Sequence, residues 1–223
     1  MNHAIKISPS ILAADMACLG QECDDVISAG ADCIHFDVMD NHYVPNLTIG
    51  PNVCQALINY GIKAPIDVHL MVNPVDDLII KFAKAGANHI SIHPQSSLHL
   101  HSSLQLIRDH DCTAGIVLNP GATLDALTHC HHLISKIVIM TVNPGFGGQS
   151  LIKEMLTKIR KARALYPALS IQVDGGVTAD NIASLAQAGA NDFVAGSAIF
   201  NQKDRKAALL SLRKNAENNK EQK

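Results

Sequence analysis

Eight short β-branched runs, each followed by a stretch long enough for a helix, limit what this chain can become more than any other feature. The runs are Ile5–Ser8, Cys33–Val38, Ile66–Leu70, His89–His93, Ala114–Leu118, Ile137–Thr141, Ser170–Asp174 and Asp192–Ala195. They recur at intervals of roughly 22 to 33 residues, the length of one strand–helix unit. The intervening stretches are amphipathic. After Asp15, whose carboxylate suits an N-cap, Leu19, Cys23, Val26 and Ile27 fall on one helical face, and Asn181–Ala188 also reads as a helix. Three echoes, Ala29-Gly30-Ala31-Asp32, Ala85-Gly86-Ala87-Asn88 and Ala188-Gly189-Ala190-Asn191, each close a helical pattern just before strands 2, 4 and 8. Glycine there suits the left-handed residue that follows a helix. The alternation, without a linker, predicts one α/β domain over 1–216, a closed (β/α)8 TIM barrel, with 217–223 as a polar C-terminal tail. An open doubly wound sheet would show the same runs, but the glycine fingerprint of dinucleotide binding is missing after strand 1.

Composition excludes several partner classes. Lys and Arg total 18 against 20 Asp and Glu, so the chain carries no basic footprint for nucleic acid or an anionic membrane. There is no Trp, and aromatic residues make up 4%, too few for a base-stacking platform. No apolar run reaches the ~18 residues of a membrane span, and Met1–Lys6 lacks the apolar core of a signal peptide. The six Cys show no Cys-x-x-Cys spacing and mostly sit within apolar patterns, as expected of reduced, buried thiols in a cytoplasmic protein. Asn46-Leu47-Thr48 is then a chance match to a glycosylation sequon.

In a barrel of this kind the functional site forms at the C-terminal ends of the strands. His35 and Asp37 share a face there by period two, as do Asp67 and His69, and Asp174 closes strand 7. Carboxylates converging in a dry mouth need compensation, and no Lys or Arg appears in these strand ends. A divalent cation held by His35, Asp37, His69 and Asp174 would supply it, through two imidazoles and two carboxylates.

Glycine-rich turns form the second constellation: Asn143-Pro144-Gly145-Phe146-Gly147-Gly148-Gln149 after strand 6, Gly175-Gly176 after strand 7, and Gly196-Ser197 after strand 8. Glycine lets backbone N–H groups approach an anion, and barrels of this class often bind phosphate after strands 7 and 8. With no basic side chain evident in these turns, the amides and Ser197 would do the binding. Met39, Met71 and Met140 follow strands 2, 3 and 6 near the same mouth and could line a ligand pocket. His129, Cys130, His131 and His132 read as a polar helix end. Lys158, Arg160, Lys161 and Arg163 read as a solvated helix face.

Over nearly its whole length the chain resembles the ribulose-phosphate 3-epimerases. The resemblance rests on Ser8-Pro9-Ser10-Ile11-Leu12-Ala13 with Asp15, His35-Phe36-Asp37-Val38-Met39-Asp40, Asp67-Val68-His69-Leu70-Met71-Val72, Met140 through Gln149, and Val173-Asp174-Gly175-Gly176. It implies a barrel of the ribulose-phosphate-binding type and one divalent metal ion per subunit (Zn²⁺, Fe²⁺, Mn²⁺ or Co²⁺) on His35, Asp37, His69 and Asp174. Substrate contacts would come from Ser10, His69, Met39, Met71, Met140, Gly145, Phe146, Gly147, Gly148, Asp174, Gly175, Gly176, Gly196 and Ser197. The implied activity is epimerisation at C3 of D-ribulose 5-phosphate to D-xylulose 5-phosphate in the pentose phosphate pathway. Asp37 and Asp174 would be the acid and base, acting through an enediolate. A homo-oligomer, dimer or hexamer, is implied by the resemblance alone. Rival readings are an epimerase of D-allulose 6-phosphate, a decarboxylase or aldolase, which would want a Lys in the mouth, and a phosphosugar-binding barrel without turnover.

Overall fold

The computed structural model describes residues 3–218. Eight strands alternate with helices in chain order: β1 Lys6–Pro9, α1 Leu19–Ser28, β2 Ile34–Met39, α2 Pro51–Tyr60, β3 Ile66–Met71, α3 Asp76–Lys84, β4 His89–Ile92, α4 Leu100–Asp109, β5 Thr113–Leu118, β6 Lys136–Met140, α5 Met155–Leu165, β7 Ser170–Asp174, α6 Ile182–Ala188, β8 Asp192–Ala195, α7 Ser197–Phe200 and α8 Arg205–Glu217. All neighbouring strands pair in parallel, in the order β1-β8-β7-β6-β5-β4-β3-β2. A parallel bridge between Ser10 and His35 joins β1 to β2 and closes the barrel. Every expected strand is present, with no end moved by more than one residue. Of the expected polar tail, Glu217 closes α8, Asn218 follows it, and residues 219–223 lie outside the described residues.

The alternation departs from expectation once. Between β5 and β6 the chain makes two single 3₁₀ turns, Asp125–Leu127 and His131–Leu133, in place of an α-helix. Leu124, Leu127, Cys130 and Leu133 recur every third residue, which matches a helix of three residues per turn and not one of 3.6. Leu127, Cys130 and Leu133 are buried by it. His131 and His132 therefore belong to a 3₁₀ turn, and His129 to the turn before it, and not to a helix end.

Local signals act as anticipated elsewhere. The Asp15 carboxylate accepts from the Ala17 N–H at 2.9 Å, capping a 3₁₀ turn that leads into α1. Gly30, Gly86 and Gly189 take φ of 102°, 102° and 117°, the left-handed exits that the echoes predicted.

Period two divides the strand residues between two environments. Ile34, Phe36 and Val38 on β2, Ile66, Val68 and Leu70 on β3, Ile137 and Ile139 on β6, and Ile171 and Val173 on β7 join the helices in one continuous apolar core. The alternate residues turn into the barrel, where the apolar clusters among the described residues are Val117, Val138, Met140 and Val142, and, at the mouth, Met39 and Met71 with Val44. The rest of the interior is polar: Ser8, His35, Asp37, Asp67, His69, Ser91, Lys136, Gln172, Asp174 and Asp192 are all buried.

Two of the four basic residues of α5 are not solvated. Lys158 donates to the carbonyls of Asn119 and Pro120 at 2.8 and 2.7 Å, anchoring the turn after β5. Arg163 donates to the carbonyls of Gly189 and Leu169 at 3.0 and 2.7 Å and to Asn191 Oδ1 at 2.8 Å, fastening α5 to the entrances of β7 and β8. Arg160 and Lys161 are exposed, as expected. Arg163→Met therefore lowers the unfolding free energy by about 1–3 kcal/mol, since three part-buried acceptors lose a charged donor. Arg160→Met, on the same helix, stays within about 0.5 kcal/mol. Urea denaturation of the two variants checks the contrast.

Candidate active site

The parallel register places the polar residues of β2 and β3 side by side: His35 pairs with Asp67 and Asp37 with His69. Asp174, at the end of β7, reaches the same point from another part of the barrel. His69 Nδ1 lies 3.1 Å from Asp174 Oδ2 and 3.3 Å from Asp37 Oδ1, and His35 Nε2 lies 3.5 Å from Asp37 Oδ1 and 3.7 Å from Asp174 Oδ2. All four expected residues thus converge, with their candidate ligand atoms within 4.8 Å of one another and every side chain buried. Ser10 Oγ donates to Asp37 Oδ2 at 2.5 Å, and Thr48 Oγ1 donates to the Asp37 carbonyl at 2.6 Å. The residues of the chance sequon thus have structural work, since Asn46 Nδ2 also donates to the Gly145 carbonyl at 2.8 Å.

The donor set fits a divalent cation, and the structure supplies an independent sign of it. His35 Nε2 is buried with no hydrogen-bond partner, yet it points at two carboxylates. Its other ring nitrogen, Nδ1, sits 3.1 Å from Asp67 Oδ2. An imidazole held from behind by a carboxylate, with a free lone pair in front, is the usual posture of a metal-bound histidine. His69 is held from behind too, its Nε2 being 2.8 Å from Nε2 of the fully buried His93.

Electrostatics point the same way. Burial would push His35 down, but the Asp37 charge and the nearby carboxylates of Asp174 and Asp67 outweigh it and hold the ring well above the usual imidazole range. His69 follows the same balance: burial lowers it, while hydrogen bonds to Asp174 and Asp37 and their charges raise it. Burial would raise Asp37, yet the His35 charge and hydrogen bonds to both imidazoles bring it far below the ordinary carboxylate range. The pocket therefore attracts positive charge between its carboxylates.

The strand C-terminal ends carry no Lys or Arg, as expected. A lysine does enter the barrel: Lys136, at the start of β6, is buried and donates from Nζ to Asp67 Oδ1 at 2.7 Å. It escapes a search of strand C-terminal ends because it enters from the opposite end, two period-two steps before Met140. It neutralises Asp67 and leaves Asp37 and Asp174 with only the two histidines as ion-pair partners among the described residues.

Above the cluster lies a cavity of about 870 Å³. Its wall includes Ser10, Asp37, Asp174, the sulfur-bearing Met39, Met71 and Met140, and the expected loop residues Gly145, Phe146, Gly147, Gly148, Gly175, Gly176, Gly196 and Ser197. His35 and His69 do not line it; both are buried against the carboxylates that do. Gly176 takes φ of 67°, and a Cβ there would lie 2.8 Å from both the Gln149 carbonyl oxygen and the Leu151 nitrogen, so only glycine fits. Gln149 Nε2 donates to the carbonyls of Asn143 and Phe146 at 2.7 and 2.8 Å, fixing the fold of its own loop. The glycine-rich turns themselves carry no basic side chain, as expected, but one lies just beyond them. Lys153, just beyond Gln149, is the one cationic side chain on the cavity wall among the described residues. Asn181 and Asn201 join it there, residues whose sequence neighbourhoods carry no motif to mark them.

Comparison with known proteins agrees with this geometry. A family model described as the ribulose-phosphate 3 epimerase family matches residues 6–200. A curated ribulose-phosphate 3-epimerase of Serratia marcescens is 57% identical over 202 residues, covering 89% of this chain and 96% of that one. Its counterpart in Escherichia coli K12 is 52% identical over 211 residues, covering 93% and 94%. Among solved structures, 3-hexulose-6-phosphate synthase from Salmonella typhimurium superposes with a TM-score of 0.73 at 15% identity, covering 96% of this chain and all (100%) of that one. The tryptophan synthase alpha chain of Legionella pneumophila does so with a TM-score of 0.68, also at 15% identity, covering 96% and 92%. At such low identity these two speak for the barrel alone. The family model and the close relatives span the strands that carry Ser10, His35, Asp37, His69 and Asp174, and on that footing the chain belongs to the ribulose-phosphate 3-epimerase family.

Proposed function

We propose that this barrel is a ribulose-phosphate 3-epimerase that interconverts D-ribulose 5-phosphate and D-xylulose 5-phosphate. The observation that carries the reading is the meeting of Asp37 and Asp174, from β2 and β7, on the wall of one cavity with a buried imidazole cluster behind them. Inverting C3 requires a proton to leave one face and another to arrive at the opposite face. The Asp37 carboxylate takes the C3 proton, and the C–H electron pair moves into the C2–C3 bond while the carbonyl π pair moves onto O2, giving an enediolate. Asp174, starting as the acid, returns a proton to the other face of C3 as the carbonyl re-forms. The two exchange roles in the reverse direction. Ser10, hydrogen-bonded to Asp37 Oδ2, holds that carboxylate in place. A divalent cation on His35, Asp37, His69 and Asp174, whether Zn²⁺, Fe²⁺, Mn²⁺ or Co²⁺, supplies Lewis-acid stabilisation of the charge on the enediolate oxygens. Met39, Met71 and Met140 shield that charge without offering a competing proton. The phosphate rests against Gly147, Gly148, Gly176 and Ser197, with Lys153 nearby, and its binding fixes the reacting carbon. The family likeness extends the reading to a homo-oligomer, dimer or hexamer, working in the cytoplasm. Among the described residues no helix is long and apolar enough to cross a membrane.

The deciding experiment follows C3 of D-ribulose 5-phosphate by NMR in D₂O with cation-loaded protein. Xylulose 5-phosphate carrying deuterium at C3, lost on chelation and restored by a divalent ion, is expected. Absence of both product and exchange would overturn the reading, with D-allulose 6-phosphate the next substrate to try. In the same assay Asp37→Asn and Asp174→Asn each slow turnover by at least about 10²–10⁴-fold while the barrel stays folded by circular dichroism.

A second prediction concerns the phosphate end. A Cβ at Gly147 would meet only Leu12 Cδ2, at 3.8 Å, so a side chain fits there without strain. Gly147→Asp then raises KM at least about tenfold through charge repulsion, with a smaller effect on kcat, and Lys153→Met raises KM less and flattens its dependence on salt.

The raised histidines set the sign of a third. A raised pKa means that the cation-free fold binds more protons than the unfolded chain, so this contribution to stability is lost as pH rises through the folded value. Cation uptake needs the unprotonated ring nitrogens and so releases protons. Affinity for Co²⁺ therefore increases with pH, and calorimetry in two buffers of different ionisation enthalpy reads the released protons directly.

A further inference from the structure

We infer that the Lys136–Asp67 ion pair in the barrel interior is a positioning element that fixes the His35 imidazole with Nδ1 as donor and Nε2 facing the cation pocket; this rests on the cation reading proposed above. Asp67 is fully buried, and each of its oxygens is engaged: Oδ1 accepts from Lys136 Nζ at 2.7 Å, and Oδ2 accepts from Gln172 Nε2 at 2.8 Å and meets His35 Nδ1 at 3.1 Å. With the ammonium on Oδ1, Oδ2 of Asp67 serves only as an acceptor, so in the neutral ring that a cation requires the one hydrogen must sit on Nδ1. The lone pair then falls on Nε2, the buried nitrogen without a hydrogen-bond partner.

The pair is itself held in place. Gln172 Nε2 also donates to Asp192 Oδ2 at 3.0 Å, Asp192 Oδ1 accepts from Ser8 Oγ at 2.7 Å, and Cys33 Sγ donates to Ser8 Oγ at 3.0 Å. This chain of contacts runs from Cys33, just before β2, through β1, β8 and β7 to Asp67 on β3, which Lys136 meets from β6, so five strands set the orientation of one imidazole. Fold stability alone gives little reason for burying two carboxylates and an ammonium where apolar side chains would serve as well. Orientation of a ligand from behind gives a reason, since such partners typically govern metal affinity by 10–100-fold.

The test measures Co²⁺ binding to wild type, Lys136→Met and the charge-neutral double variant Lys136→Met/Asp67→Asn by competition with a chelator. The variants that fold are expected to bind Co²⁺ about 10–100-fold more weakly, with shifted visible absorption bands. A folded variant that matches wild type in affinity and spectrum overturns the positioning role while leaving the cation reading intact. If wild type takes up no Co²⁺, the cation reading falls and this inference with it. Should neither variant fold, NMR of the Zn²⁺-loaded wild type decides. A slowly exchanging, hydrogen-bonded proton on His35 Nδ1 supports the role, and a rapidly exchanging one overturns it.

Discussion

Everything in this molecule depends on closing eight parallel strands into a ring, and the seam is held by few contacts. β1 and β2 meet through the Ser10–His35 bridge. Below it the Asp32 carboxylate stands in for a strand carbonyl, accepting from the Ile7 N–H at 2.8 Å, while the Asp32 N–H donates to the Ile7 carbonyl at 3.0 Å. Arg213 of α8 then clamps the junction, donating to Asp32 Oδ2 at 2.6 Å and to the Ile5 carbonyl at 2.9 Å. The two residues of the bridge are also residues of the site: Ser10 holds Asp37, and His35 faces the cation pocket. Barrel closure and site assembly are therefore one event. Without the ring, Asp174 on β7 has no route to the residues of β2 and β3.

Closure also creates the electrostatic problem that the interior solves in two tiers. Strand period two points every second residue into a space with little water, and here most of those residues are polar. The lower tier is neutralised by the protein itself, with Lys136 set against Asp67 and near Asp192. The upper tier carries two carboxylates with only imidazoles for company, and those imidazoles are drawn toward the protonated form. One tier is satisfied and serves as a support. The other is left short of positive charge, which suits the cation and the enediolate of the proposed reaction.

The outer, apolar half of this design was legible in the sequence, because β-branched runs and helical periodicity are local signals. So were His35, Asp37, His69 and Asp174, which stand out as polar residues at the ends of apolar strands. Three things escaped. The 3₁₀ turns between β5 and β6 follow from a period of three that looks much like a short helix. Lys136 enters through the end of the barrel opposite the site, and only the register reveals that it reaches Asp67. Arg163 and Lys158 sit on a helix face that composition marks as solvated, and their partners are backbone carbonyls, which no side-chain pattern can announce. Register and backbone acceptors are properties of the assembled ring.

The floor that holds Asp37 and Asp174 is carried by strands, whereas the far wall of the cavity is carried by loops such as the one around Gly147, where the nearest neighbour of an added Cβ is a flexible leucine. These two parts can diverge at different rates. Substitutions or insertions in the loops can lengthen, shorten or recharge the cavity without disturbing the register that brings the carboxylates together. A barrel built this way can change which sugar it accepts through small steps in its rim, and keep throughout a pair of facing carboxylates that would be hard to assemble twice.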